Sequence, residues 1–238
     1  MKTNQTLQVV NAMKKSGGFS TFGKLNSLLD FSSWKTKTPE ASVRSIVQND
    51  KIFFKIKPGL WALKEFESDI INKLNLDKNS NSSEDFNHSY YQGLAVEIGN
   101  LKNFNTYVPN QDKNKCFLDK PLKEIANITD IYSFSYPEIV KYAKTVDVIW
   151  FNERKMPCTF FEIEHTTDIK NSLIKYFELQ DFNANFYIIA EEHKRVVFNE
   201  LINRTIFKNL EKRVQFRSYE TLSDIHSIAF KESLIENL

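Results

Sequence analysis

Cysteine is scarce: only Cys116 and Cys158 occur in 238 residues. Their spacing fits no zinc motif, and two unpaired thiols suit a reducing compartment, so a cytoplasmic protein is expected. The four histidines, His88, His165, His193 and His226, show no zinc spacing either. Glycine is also rare, with six residues. None of them forms a P-loop or a dinucleotide fingerprint, which excludes the common nucleotide cofactors and an ATP-driven enzyme acting alone. No apolar run reaches the roughly 18 residues of a membrane span. The first residues, Met1-Lys-Thr-Asn-Gln-Thr6, lack the apolar stretch of an export signal. No Ser/His/Asp or Cys/His constellation is visible, and no internal repeat.

Apolar residues are plentiful: 41% of the chain is hydrophobic, including 20 Phe. That is enough for one large core or two smaller ones. Charge is unevenly placed. Residues 1–67 carry 11 Lys/Arg against 5 Asp/Glu, whereas residues 68–238 carry 21 against 25. A small basic module thus precedes a larger, mildly acidic one, and the basic one invites an anionic partner. Residues 75–87, rich in Asn and Ser, have the composition of a linker. The expected division is 1–74, a linker at 75–87, and 88–238.

In the first module, helical periodicity over Leu7, Val10 and Met13 stops at Gly17-Gly18, and Ser20-Thr21 is a cap for a second helix. Thr38-Pro39-Glu40 is a strong helix start. The helix it begins buries Val43, Ile46 and Val47, and turns Ser42, Arg44, Ser45 and Gln48 outward. Two strands follow around Pro58-Gly59. Three helices and a hairpin are the layout of a winged helix-turn-helix. Thr38-Pro-Glu-Ala-Ser-Val-Arg44 and Pro58-Gly-Leu-Trp-Ala-Leu63 resemble the HARE-type version. That resemblance, over residues 3–66, implies contact with double-stranded DNA through Ser42, Arg44, Ser45 and Gln48, with Lys51, Lys55 and Lys57 near phosphates. A winged helix used for protein contacts is the competing reading.

The second module opens with a helical pattern from His88 to Leu101. Glu97 falls on its apolar stripe with Leu94, Ile98 and Leu101, and must be paired, either with a base or at a metal site. A short strand is expected at Phe104–Pro109. Two runs then carry acids within β-branched and aromatic residues: Thr145-Val-Asp-Val-Ile-Trp-Phe151 and Phe160-Phe-Glu-Ile-Glu-His165. They read as antiparallel strands joined by Asn152–Pro157. Alternation places Glu162 and Glu164 on one face, Asp147 meets Glu162 across the pair, and His165 points the other way as a packed or hydrogen-bonded histidine. Crowded carboxylates call for a cation, and a hard divalent metal suits them. Gln111-Asp112 lies near the first strand and could approach DNA or metal, though a plain loop acid is the first reading. A helix over 168–182, a strand at 185–190, a helix at 192–203, a strand at 214–218 and a closing helix at 222–235 complete the pattern.

This order, with Asp147 followed by Glu162-Ile-Glu164, is similar to the PD-(D/E)xK nuclease fold over residues 88–207. The departure is Glu164 where that family carries lysine; some restriction endonucleases share Glu-x-Glu. The resemblance implies an α/β (α+β) fold with a mixed sheet flanked by helices. It also implies a type II-like restriction endonuclease cutting double-stranded DNA, with one or two Mg²⁺ per site. Asp147, Glu162 and Glu97 would be metal ligands, and Glu164 a general base or second-metal ligand. Cutting both strands suggests a homodimer. The alternative is a DNA-binding regulator whose nuclease-like domain is inactive and serves dimerisation; the missing lysine favours it.

Overall fold

The computed structural model describes residues 4–74, 76, 80–165 and 168–236. The chain forms two compact units: Met1–Asp77 with Ser223–Leu238, and Lys78–Leu222.

The smaller unit contains α1 (Gln5–Lys15), β1 (Phe19–Thr21), α2 (Phe22–Ser27), α3 (Pro39–Val47), β2 (Phe53–Lys57), β3 (Leu60–Leu63) and α4 (Glu67–Lys73). Its strands form an antiparallel sheet in the order β1-β3-β2. The start signals act locally. Thr21 caps α2 by accepting from the Lys24 amide, whereas Thr38 makes no side-chain cap and Pro39 sets the first turn of α3. Gly59 has φ +75°, the left-handed conformation the β2–β3 turn requires. Val9, Met13, Leu25, Val43, Val47 and Phe53 are buried together as the core.

The larger unit begins with α5 (Ser80–Leu101), then β4 (Asn105–Tyr107), a hairpin of β5 (Cys116–Phe117) and β6 (Lys120–Pro121), α6 (Leu122–Ile125) and α7 (Pro137–Ala143). There follow β7 (Val148–Phe151), β8 (Pro157–Glu164), α8 (Ile169–Glu178), β9 (Asn185–Ala190), α9 (Arg195–Ile202) and β10 (Val214–Ser218). The five-stranded sheet runs β10-β9-β8-β7-β4. It is antiparallel from β4 to β8 and parallel from β8 to β10. The fold is therefore α+β, a mixed sheet flanked by helices.

One sheet face, with Ile149, Phe151, Phe160, Phe186 and Ile188, packs against Leu173 and Tyr176 of α8. Each such side chain, fully buried, contributes on the order of 1.5–3 kcal/mol. On the other face, the Trp150 indole donates to the Ala95 carbonyl of α5 at 3.0 Å. Gly99 permits this approach, and Gly93 that of the β5–β6 hairpin. A Cβ at Gly93 would meet Phe117 at 2.1 Å, and one at Gly99 would meet Thr106 at 2.5 Å and Trp150 at 2.6 Å.

Two boundaries differ from the expected ones. Within 75–87, residues 75 and 77–79 lie outside the described residues, and the chain is helical from Ser80 onward. Phe86 explains this: it is buried and stacks on Tyr90 one turn later, with centroids 6.0 Å apart. The last helix, α10 (Tyr219–Glu236), begins in the larger unit, but Ser223 onward groups with the smaller one rather than closing the larger. Polar pairs hold it there: Ser223 donates to the Pro58 carbonyl at 2.8 Å, Asp224 pairs with Arg44 and Lys231 with Glu40. Among the described residues, no helix is long and apolar enough to cross a membrane.

Candidate active site

The strand pair delivers its carboxylates as alternation requires. Val148 pairs with Phe161 and Ile149 with Phe160, so the register carried one residue further sets Asp147 opposite Glu162. Asp147, Glu162 and Glu164 are all buried. Asp147 Oδ2 accepts from the Ile163 amide at 2.7 Å, which fixes one of its oxygens.

Glu162 and Glu164 point toward α8, whose inward positions are Ile169, Ser172, Leu173 and Tyr176. Ser172 is the polar member of that stripe, and it meets both acids: its hydroxyl lies 3.1 Å from Glu162 Oε2 and in short contact with Glu164 Oε1. One hydroxyl hydrogen cannot serve two acceptors at once, so a proton held by either carboxyl relieves the contact. Lys175, one turn further, places Nζ 3.0 and 2.8 Å from the two oxygens of Glu162. It also donates to the Thr145 carbonyl. Burial, with the charge of Asp147, pushes Glu162 up to about 8 against the pull of Lys175. Burial also raises Glu164, against the hydrogen bond from Ser172. Lys175 loses by burial but gains more from Glu162, Asp147 and Glu164, and stays charged.

The other side of Asp147 is built from α5 and the turn after β4. His88 Nε2 lies 3.5 Å from Asp147 Oδ1 and 3.7 Å from Asp112 Oδ2. Gln92, one turn along α5 and wholly buried, donates to Asp112 Oδ2 at 3.0 Å and to the Asp147 carbonyl at 3.1 Å. Lys115 pairs with Asp112 Oδ1 at 2.9 Å. Burial would lower the His88 imidazole, but its contacts with Asp112 and Asp147 outweigh that and raise it to about 10. Burial would raise Asp112, yet His88 and Lys115 draw it down to about 2. His88, Asp112 and Asp147 form a group that could hold a metal ion.

The structure thus brings Asp147, Glu162 and Glu164 together and leaves Glu97 apart. Glu97 is nine residues from His88 and five from Gln92, or about 180° and 140° around α5. Its charge is felt by Tyr90. Asp112, read from sequence first as a loop acid and second as a group that could approach the site, is a buried member of it. His88, Gln92, Ser172 and Lys175 were not singled out by sequence. A serine on the apolar stripe of α8, and a His-x-x-x-Gln pair on α5, were the available signals. His165 is the hydrogen-bonded histidine expected, with Nδ1 2.8 Å from the Tyr219 hydroxyl.

In the smaller unit, α3 turns Arg44, Ser45 and Gln48 outward and leaves Ser42 half-buried. Arg44 is already engaged: its guanidinium lies 3.0 Å from Asp224 and 4.8 Å from the Phe22 ring centroid. Ser42 turns its hydroxyl back to the Thr38 carbonyl. Lys51 and Lys55 are exposed, and Lys57 is half-buried.

A mixed sheet that gathers four buried carboxylates, a lysine and a histidine at one end has the makings of a hydrolytic centre. Residues 70–238 match the family described as Type II restriction enzyme NmeDI C-terminal domain. The match covers most of the chain, and the chain belongs to this family. Among curated proteins, it is 26% identical over 158 residues to Type II restriction enzyme NmeDI of Neisseria meningitidis serogroup C, covering 62% of this chain and 44% of the relative. The chain therefore spans less than half the length of that relative. No solved structure matches it.

Proposed function

We propose that this chain is a Mg²⁺-dependent, type II-like restriction endonuclease hydrolysing phosphodiesters of double-stranded DNA. The observation that carries this reading is the meeting of Asp147, Glu162, Glu164 and Lys175 at the end of one strand pair, in a chain of a type II restriction enzyme family. The donor set fits a hard divalent ion: Glu162 and Glu164 are raised by burial and by the charge of Asp147, the cost that such an ion offsets. Asp147 and Glu162 would hold it. The Ile163 carbonyl would assist, since the N–H and C=O of a strand residue face one edge and the Ile163 amide already faces Asp147. When bound, the ion lowers the pKa of its water and offsets charge in the in-line transition state.

The protein groups divide the remaining work. Glu164, held by Ser172 and raised above the usual carboxylate range, accepts the proton of the attacking water. Lys175 supplies the positive charge that Glu164 cannot. It comes from α8 rather than from β8, and this weakens the argument for an inactive domain. The smaller unit reads as a winged helix-turn-helix with α3 as its reading helix. Ser45 and Gln48 are its DNA-facing positions, with Lys51 and Lys55 at phosphates; Arg44 must exchange Asp224 for DNA to take part. Cleavage of both strands implies two copies or two successive events.

The test is cleavage of a panel of methylated and unmethylated plasmids with Mg²⁺ and with EDTA. Discrete bands that need Mg²⁺ are expected. Tight duplex binding without cleavage on any plasmid would move the reading to a DNA-binding regulator.

A further inference from the structure

The turn that carries Asp112 inward carries a cation outward. The Asp112 and Lys113 amides both donate to the Pro109 carbonyl, at 3.0 and 3.1 Å, and the Lys115 amide donates to the Asp112 carbonyl at 2.8 Å. The Lys123 amide donates to the Lys113 carbonyl at 2.9 Å. That bond fixes Lys113 and Lys123 as backbone neighbours, although they are distant in sequence. Asp112 is buried beside His88, whereas both lysines are exposed.

The two lysines differ from others nearby in what they meet. Lys115 is neutralised by Asp112 and Asp85, and Lys175 by Glu162. Lys113 and Lys123 instead donate to neutral side chains, those of Asn110 at 3.2 Å and Asn114 at 3.1 Å. Among the described residues, neither has a carboxylate partner. Two cations held on adjoining backbone repel each other, and an anion shared between them offsets that repulsion.

The cavity they line sets the kind of anion. Its volume is about 230 Å³, and its other walls are Val108, Ala126, Ile128 and Thr129. A free phosphate ion gains nothing from aliphatic walls. One nucleotide of a DNA strand does, because its phosphate meets the ammonium groups and its deoxyribose carbons meet the walls. A ribose would press its 2′-hydroxyl toward aliphatic carbon, where an unpaired polar group is costly.

We propose that Lys113 and Lys123 hold a backbone phosphate of duplex DNA close to the carboxylate group, with its deoxyribose against Val108, Ala126 and Ile128. This is a DNA contact of the nuclease unit, distinct from those of α3. It rests on the nuclease reading for the identity of the ligand.

The experiment is duplex binding by the full chain in EDTA at a series of salt concentrations, read by fluorescence anisotropy. The logarithm of the binding constant falls with the logarithm of salt by about 0.9 for each phosphate neutralised. Lys113→Gln with Lys123→Gln should therefore reduce the slope by about 0.9, so that its deficit against wild type is about 3.5-fold larger at roughly 50 mM than at roughly 200 mM salt. Lys113→Arg with Lys123→Arg should keep the wild-type slope. Lys208→Gln with Lys212→Gln removes the same charge from the segment leading into β10, at the sheet edge opposite β4, and should also keep it. A wild-type slope in the folded Lys113 and Lys123 glutamine variant, or an equal fall in the Lys208 and Lys212 variant, overturns the proposal and leaves the nuclease reading standing. A wild-type chain that binds no duplex at any salt overturns both.

Discussion

Asp147 separates two groups of buried charge that are neutralised in different ways. On the strand side, two glutamates share one serine hydroxyl and one lysine. On the helix side, a single aspartate, Asp112, has both Lys115 and His88 beside it and a Gln92 amide donating to it. Burial raises carboxyl pKa values in both places. It prevails where acids outnumber cations, leaving Glu162 near 8, and it is reversed where cations outnumber acids, leaving Asp112 near 2. What decides the charge state of a buried acid here is the local ratio of partners, not depth. The strand side is thus short of positive charge.

The strongest way to break this comparison is to remove the strand side's cation. Lys175→Met leaves Glu162 buried opposite no base, which should cost about 3 kcal/mol or more of stability at pH 8, read from urea unfolding. A loss below about 1 kcal/mol would mean that Glu162 is already neutral there and that Lys175 is expendable.

The pH dependence of melting in EDTA sharpens it. Glu162 has a folded pKa above its unfolded value of 4.5, so it takes up a proton on folding, and stability falls as pH rises from about 4.5 to about 8. His88 is raised from 6.5 to about 10, so its contribution is complete below 6.5 and is lost as pH climbs through 10. Both slopes descend on the alkaline side. Tm should therefore drop by several degrees between pH 6 and 9, and Glu162→Gln should flatten the lower part of that window while leaving the upper part. A Glu162→Gln profile parallel to wild type would assign the slope elsewhere.

The smallest effect lies on the helix side. Asp112, depressed from 3.8 to about 2, contributes stability that is present above about 4 and lost as pH falls through 2. Asp112→Asn should cost on the order of 2 kcal/mol at pH 7 and well under about 1 kcal/mol at pH 2.

The two sides also differ in how far the sequence reveals them. Asp147, Glu162 and Glu164 are legible because strand alternation and antiparallel register are local rules, and the register found is the one those rules require. Ser172 and Lys175 depend on the parallel pairing of β8 with β9, which lays α8 back over the acidic face. No local pattern specifies that crossover. Asp112 depends on a turn that packs under α5, whose close approach rests on Gly93 and Gly99. Glu97 illustrates the converse: its position on an apolar stripe was real, but the side of α5 that meets Asp147 is marked by His88 and Gln92. The closing helix was legible as a helix. Its membership in the smaller unit was not, because that rests on pairs such as Arg44–Asp224, 180 residues apart.

The central claim is that the strand-borne carboxylates make a metal-dependent nuclease site. Glu162→Ala, compared with wild type on a plasmid cut by the wild-type chain in Mg²⁺, tests it most directly. Cleavage should fall by about a thousandfold or more, the several kcal/mol that metal-held charge contributes, while duplex binding in EDTA is unchanged. Cleavage within about tenfold of wild type, by a folded variant, would contradict it.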